Sequence, residues 1–100
     1  RHHQWVTLAA MDIHRSETVD IDQTLGRFRH LRVQAIRGAA YVDFIEGRYG
    51  NGEQQHIDVH RRLGRGEVAN LDLNGARRLQ AITVHGEPDS WSQIQVIGER

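Results

Sequence analysis

Polar and apolar residues alternate along most of this chain with a period of two, which is typical of strands that bury one face. The clearest case lies on either side of Gly50-Asn51-Gly52, where residues 39–49 and 53–60 carry aromatic and β-branched side chains. Glycine and asparagine tolerate the positive φ angles that tight turns require. The sequence therefore predicts a β-hairpin over residues 39–60.

Two loop lengths are possible in this hairpin, and they give different registers. A two-residue loop at Asn51-Gly52 sets Glu46 opposite Ile57, whereas a three-residue loop ending in a left-handed Gly52 sets Ile45 opposite Ile57. We expect the second register because it pairs an apolar residue with an apolar residue. The same register predicts three further cross-strand pairs, which are Glu46 with His56, Phe44 with Asp58 and Val42 with His60.

Six other segments show the same alternation and are separated by turn or loop signals. They are residues 5–9, 17–21, 28–36, 68–73, 78–85 and 91–98. Asn74-Gly75 is a second hairpin signal, between the fourth and fifth of these segments. The strand that follows it loses its alternation after Leu79, which predicts a bulge near Gln80 or Ala81.

Eight short strands at roughly ten-residue spacing, with no 3.6-residue period, predict an all-β fold. We expect residues 1–100 to form a single-domain antiparallel β-sandwich, with a small closed β-barrel as the alternative. Large aromatic side chains are expected to fill the space between the two sheets. These are Trp5, Phe28, Tyr41, Phe44 and Trp91.

Composition adds constraints on stability and on partners. The chain has no cysteine, so its core must stabilise the fold without disulfides. Its 13 basic and 13 acidic residues cancel, which leaves no overall field to attract nucleic acid or an anionic membrane. No apolar run approaches the roughly 20 residues that span a bilayer. We therefore expect no nucleic-acid partner and no membrane insertion.

The motifs of nucleophilic catalysis and nucleotide binding are missing from the sequence. None of its serines lies in a Gly-x-Ser-x-Gly elbow, and no Gly-x-Gly-x-x-Gly or P-loop string occurs. Asp20 and Asp22 have the spacing of a carboxylate pair on one strand face, although a charged edge that discourages strand addition is the commoner use. Arg77-Arg78 could anchor an anion, but we expect one of them to pair with Asp72 or another strand carboxylate. The sequence thus predicts no enzyme and no cofactor.

His56-x-Asp58-x-His60 is the one pattern that suggests a metal site. Alternate residues of a strand share a face, and imidazole and carboxylate groups are zinc ligands, with Glu46 adjoining them across the hairpin. However, the backbones of His56 and His60 lie roughly 13 Å apart in a regular strand. Both could reach one ion only through a marked bend or bulge, so the favoured interpretation is an ordinary polar strand face.

The order of these signals resembles that of a known group of domains. The segments that carry the resemblance are Phe28 to Val33, Tyr49-Gly50-Asn51-Gly52, Leu63 to Gly66, Leu71-Asp72-Leu73-Asn74-Gly75, Arg77-Arg78 with Ile82, and the last strand, which ends in Gly98. They resemble the small bacterial uncharacterised β-sandwich domains of the DUF2541 type. The resemblance implies an exported or periplasmic bacterial protein of unknown activity, and it carries over no catalytic residue.

Two hypotheses of function follow. The first is a non-enzymatic β-sandwich module that binds a protein or carbohydrate surface through exposed aromatic residues, with Trp91 or Tyr41 as the expected members. The second is a metal-binding or metal-dependent protein centred on His56, Asp58 and His60.

Overall fold

The computed structural model describes residues 4–100, and within that range the chain forms eight β-strands and one short 3-10 turn. The strands are β1 (Trp5–Asp12), β2 (Ser16–Asp20), β3 (Phe28–Arg37), β4 (Ala40–Tyr49), β5 (Gln54–Leu63), β6 (Val68–Arg77), β7 (Leu79–Pro88) and β8 (Gln93–Glu99). The 3-10 turn covers Gln23–Leu25, between β2 and β3. No helix in this range is long and apolar enough to cross a bilayer.

The strands form two antiparallel sheets of four strands each. The first sheet has the order β1-β8-β3-β6 and the second has the order β2-β7-β4-β5. The two sheets pack face to face as a sandwich, which confirms the predicted fold, and the alternative of a closed barrel is wrong. Because β4 pairs with both β5 and β7, it is an inner strand of the second sheet.

Inward positions of both sheets supply the apolar core. In β4 these are Ala40, Val42, Ile45 and Tyr49, and β3 contributes Phe28, Leu31, Val33 and Ala35 in the same way. Burying one large apolar side chain stabilises a fold by roughly 1.5–3 kcal/mol. With no disulfide available, this layer is the main source of stability.

Three of the five aromatic residues expected in the core are exposed instead. Trp5, Tyr41 and Trp91 keep 37%, 41% and 47% of their surface accessible, whereas Phe28 is only 1% exposed. Phe44 is half-buried, on the outer side of the second sheet. The prediction of a core filled by these aromatics was therefore right for Phe28 alone.

Strand alternation explains why an aromatic residue points outward in β4. Tyr41 lies between Ala40 and Val42, which are both fully buried, so Tyr41 must point to the opposite face. Trp5, on the first sheet, is covered by the guanidinium of Arg32 at 3.9 Å from the ring centre. At these sites the position of the residue in its strand decides the direction of the side chain, even though an aromatic side chain would be more favourably buried.

The central hairpin has the predicted three-residue loop. Tyr49 and Glu53 close the loop through a backbone hydrogen bond of 2.8 Å, and Gly52 has a φ of 92°. The predicted pairs Ile45 with Ile57, Glu46 with His56 and Phe44 with Asp58 are confirmed. The predicted pairing of Val42 with His60 is wrong, because an extra residue in β5 brings Arg61 opposite Val42.

The second hairpin signal, at Asn74-Gly75, does not form a hairpin. Strand β6 continues through both residues and pairs with β3, while β7 belongs to the other sheet. The bulge predicted at the start of β7 is confirmed. Arg48 pairs with Ala81 and Tyr49 pairs with Leu79, which leaves Gln80 as the extra residue.

Polar side chains hold the loop of the central hairpin. Asn51 accepts the backbone N–H of Glu53 at 3.0 Å and donates to Glu53 Oε1 at 2.9 Å. Arg77 Nη2 also donates to Glu53 Oε1, at 2.6 Å. The hydrogen bond from Asn51, followed by the hydrogen bond and charge of Arg77, holds the pKa of Glu53 below its ordinary value of 4.5.

Gly52→Val is expected to destabilise the protein by roughly 1–2 kcal/mol, because a β-branched residue is strained at a positive φ. No atom lies within 4 Å of the position that a Cβ would take, so the loss is one of backbone strain alone. Thermal unfolding should show a decrease in Tm of about 4–16 °C. Gly52→Asn is the matched control and should lose less, since asparagine tolerates this region. Equal stability of Gly52→Val and the wild type would contradict the loop geometry.

The stabilisation contributed by ionised Glu53 should depend on pH. Its pKa is lower in the folded state than in the unfolded state, so the contribution is complete above about pH 4.5 and is lost as the pH falls through the folded value. Urea unfolding should show Glu53→Gln less stable than the wild type at neutral pH, with the difference shrinking in acid. A difference that stays constant from neutral to acidic pH would show that these contacts do not act through the ionised carboxylate.

Candidate functional site

The outer face of the second sheet carries most of the chain's candidate chemistry. Its strands β2, β7, β4 and β5 all have an inner face in the core, and within residues 4–100 no helix covers the other side. Histidine, carboxylate, threonine and aromatic side chains therefore meet solvent there. Those that matter below are Thr18, Asp20, Tyr41, Asp43, Phe44, Glu46, His56, Asp58, His60, Thr83, His85 and Glu87.

Three rings line up across three adjacent strands of this face. Phe44 of β4 stacks almost parallel to His85 of β7, with centroids 4.7 Å apart and planes 5° apart. On its other side it meets His56 of β5 at 4.5 Å, with the planes tilted by 33°. This packing half-buries Phe44 and fixes the two imidazole rings beside it.

A chain of histidine and aspartate contacts continues from this row of rings. His56 Nε2 lies 2.8 Å from Asp58 Oδ1, and His60 Nε2 lies 3.5 Å from the same oxygen. His60 Nδ1 is 2.8 Å from Asp43 Oδ1. Both nitrogens of His60 thus face carboxylates, and both can donate only when the ring carries two protons.

Irregular backbone brings these four side chains together. Between Asp58 and Arg61, β5 has one residue more than β4, and His60 in this bulge has a φ of 47°. Between Val42 and Phe44, β4 in turn has one residue more than β7, and that residue is Asp43. Bulges redirect side chains from the regular alternation, and here they turn His60 and Asp43 toward each other.

The predicted metal residues His56, Asp58 and His60 are therefore neighbours in the structure. Their nitrogen and oxygen atoms are directed at one another, and in residues 4–100 no three histidine or carboxylate groups are arranged so that they could hold an ion. Glu46 is opposite His56, as expected, but it lines a separate depression of about 250 Å³ with Asp20 and Thr83. Metal binding by this cluster stays a prediction.

Asp20 and Asp22, which the sequence suggested as an acid pair, have different roles in the structure. Asp20 lines the depression just described. Asp22 is the N-cap of the 3-10 turn, where its carboxylate accepts the backbone N–H of Thr24 at 2.9 Å and the Thr24 hydroxyl at 2.7 Å. The hydroxyl hydrogen bond and then the backbone one lower the pKa of Asp22.

A second depression, of about 230 Å³, is lined in part by the exposed Tyr41. Asp43, His85 and Glu87 line it together with the backbone of Gly86. Glu87 is the direct cross-strand neighbour of Tyr41 on β7. We name these four side chains, Tyr41, Asp43, His85 and Glu87, the Tyr41 site.

Sequence reasoning singled out Tyr41 but missed its three companions. Alternation along β7 places His85 and Glu87 on the same face, so their signal was present once the pairing of β4 with β7 was known. Asp43 lies two residues after Tyr41 on β4, so alternation gave it the same outward signal, whereas Phe44 points outward because of the bulge. The other predicted binding residue, Trp91, is exposed in the β7–β8 loop, with the guanidinium of Arg37 at 6.0 Å from its ring.

Comparison with known proteins agrees with this architecture. A search of curated proteins found no match. The family model described as "Domain of unknown function (DUF2541)" matches residues 1–98. Because that match covers nearly the whole sequence, the chain belongs to the DUF2541 family.

Proposed function

We propose that this domain is a non-enzymatic binding module and that the Tyr41 site binds a neutral carbohydrate. The observation that supports the proposal is the half-exposed Tyr41 ring in a depression lined by Asp43, His85 and Glu87. An exported location, which the family resemblance implies, would bring such a site into contact with extracellular or periplasmic glycans.

The chemistry of the site suits a sugar ring. The face of an aromatic ring carries partial negative charge and attracts the polarised C–H bonds on the flat side of a pyranose. Carboxylates accept hydrogen bonds from hydroxyl groups, and such charge-assisted bonds are about twice as strong as neutral ones. Asp43 and Glu87 both supply this group.

The size of the site favours one sugar unit of a longer chain. A volume of about 230 Å³ is below the roughly 300 Å³ at which drug-sized ligand pockets begin. The remaining units would lie on the open polar face, where the separate depression of about 250 Å³ provides Glu46, Asp20 and Thr83. We therefore infer a polymer or oligosaccharide rather than a free monosaccharide.

A protein partner is the less favoured occupant. Stable protein interfaces have an apolar centre formed by clustered aromatic and aliphatic side chains. In residues 4–100 the exposed large hydrophobic residues are Trp5, Tyr41 and Trp91, each on a different element, and Tyr41 is surrounded by charged groups. That arrangement supports recognition of a hydroxyl-rich surface.

Tyr41→Ala is expected to weaken carbohydrate binding by roughly tenfold or more. The stacked ring would hold the sugar where Asp43 and Glu87 can accept hydrogen bonds from its hydroxyl groups, so both kinds of contact would be weakened. A panel of neutral oligosaccharides that includes cellohexaose and chitohexaose identifies the ligand, and calorimetry on the best of them measures Kd. Glu87→Gln should also weaken binding.

Trp5→Ala is the matched control, because it removes an exposed aromatic residue from the first sheet. Its affinity should equal that of the wild type. Two results would contradict the proposal: Tyr41→Ala binding as tightly as the wild type, or no binding to any member of the panel.

A divalent-metal site at His56, Asp58 and His60 is our second proposed function. The bulge at His60 favours it, because the bulge brings the imidazole of His60 to 3.5 Å from the carboxylate that His56 also contacts. The separation of roughly 13 Å expected for a regular strand no longer applies here. Metal binding would require these side chains, which now contact one another, to turn toward a shared ion.

Zinc added to tag-free protein should then raise Tm, and the free energy of unfolding should increase by about 2.7 kcal/mol when the free zinc concentration is a hundred times Kd. His60→Ala should abolish the increase. His30→Ala is the matched control, since His30 forms a similar contact with Asp72, at 2.6 Å, on the first sheet. No increase in the wild type, or the same loss in His30→Ala, would rule out this function.

A further inference from the structure

Three arginine side chains converge on one cleft at the end of β4 that is farthest from Tyr41. The cleft has a volume of about 370 Å³ and is lined by Arg27, Arg77 and Arg78 together with Gln23, Tyr49 and Asn51. It lies where the 3-10 turn, the β4–β5 loop and the β6–β7 connection meet. We name it the arginine cleft.

Arg77 is held in place on one side of this cleft. Its Nη2 donates to Glu53 Oε1 at 2.6 Å, and its guanidinium lies 4.0 Å from the centre of the Tyr49 ring. Tyr49 itself is 2% exposed and belongs to the core. Glu53 is thus the carboxylate partner expected for one of the paired arginines, while Asp72 contacts His30 instead.

The guanidinium groups of Arg27 and Arg78 make no hydrogen bond or ion pair with any residue in the described range 4–100. The cleft therefore combines three guanidinium groups with a single carboxylate, Glu53. Since the whole chain has a formal net charge of +0, this excess of positive charge is local. A concave wall with low polarisability increases the effect of such a charge on a bound anion.

Close backbone contacts make the arrangement rigid. The N–H of Gly50 donates to the carbonyl oxygen of Arg78 at 3.0 Å, which ties the β4–β5 loop to the β6–β7 connection. On the other side, the Gln23 side chain of the 3-10 turn reaches Gly50, with its Oε1 2.7 Å from the position that a Cβ would take there. Rigid scaffolds of this kind lower the entropy lost on binding.

We propose that the arginine cleft binds an oxyanion, either a phosphate or a carboxylate group of a small organic molecule. Arg27 and Arg78 would contact the anion directly, because the planar guanidinium matches both groups with two parallel hydrogen bonds. Arg77, which Glu53 and the Tyr49 ring hold in place, would add a third positive charge beside the anion. A volume of about 370 Å³ lies in the range of small-molecule sites. Tyr41 and Tyr49 are eight residues apart along β4, roughly 26 Å, so this site is independent of the Tyr41 site.

Titration with inorganic phosphate and, separately, with succinate tests the proposal. Each is added to isotope-labelled protein at constant ionic strength, and the amide NMR shifts of Gly50 and Asn51 are followed. We expect saturation with a Kd near or below about 1 mM for at least one of them. Saturation by phosphate alone assigns a phosphate ligand, and saturation by succinate alone assigns a carboxylate.

Charge-neutralising variants locate the site. Arg27→Gln and Arg78→Gln should each raise Kd by roughly tenfold or more, because each removes a hydrogen-bonding cation. Arg65→Gln is the matched control, since Arg65 is equally exposed but lies in the β5–β6 turn, and its Kd should not change. Glu53→Gln should lower Kd, because it releases Arg77 from its carboxylate.

Three results would overturn the proposal. The first is failure of both anions to saturate the shifts at about 10 mM. The second is a loss in Arg65→Gln as large as that in Arg78→Gln, which would show general charge attraction only. The third is a Glu53→Gln variant that still folds and unfolds cooperatively but binds no more tightly than the wild type.

Discussion

Burial of one apolar layer between two four-stranded sheets is the interaction on which this molecule depends. The chain has no disulfide to replace it, and its large buried side chains come from both sheets. Every strand must therefore turn one face inward, and in residues 4–100 no helix covers the opposite faces. Exposed polar and charged side chains are consequently found on the outer faces and at the strand ends, where Tyr41 and the arginine cleft are placed.

Strand β4 shows how the core shapes the candidate site. Val42 and Ile45 are both fully buried although they are three residues apart, which a regular strand does not allow. The bulge between them directs both Asp43 and Phe44 outward, where Asp43 meets His60 and Phe44 stacks on His85. The polar cluster thus results from keeping the core continuous, and its histidines are held by aromatic packing and carboxylates together.

Short sequence motifs predicted correctly those parts of the fold that depend on residues close together in the chain. Gly50-Asn51-Gly52 forms its turn because the glycine accepts the required φ, and the register follows from that turn. The similar signal at Asn74-Gly75 failed because β6 and β7 pair with strands distant in sequence and in different sheets. The positive φ of His60 and the outward direction of Phe44 depend on these long-range pairings, so the sequence alone could not reveal the cluster. Tyr41 could have been placed correctly from its buried neighbours Ala40 and Val42.

The central claim is that the outer face of the second sheet, at Tyr41, is the binding surface of this domain. An amide NMR titration with the oligosaccharides of the panel, cellohexaose and chitohexaose among them, tests it most directly, because the backbone amide of each residue reports on its own surroundings. The account predicts shifts concentrated at Tyr41, Asp43, His85 and Glu87, which belong to β4 and β7. Shifts centred on Trp5 and Arg32 of the first sheet, or no shifts with any oligosaccharide of the panel, would contradict it.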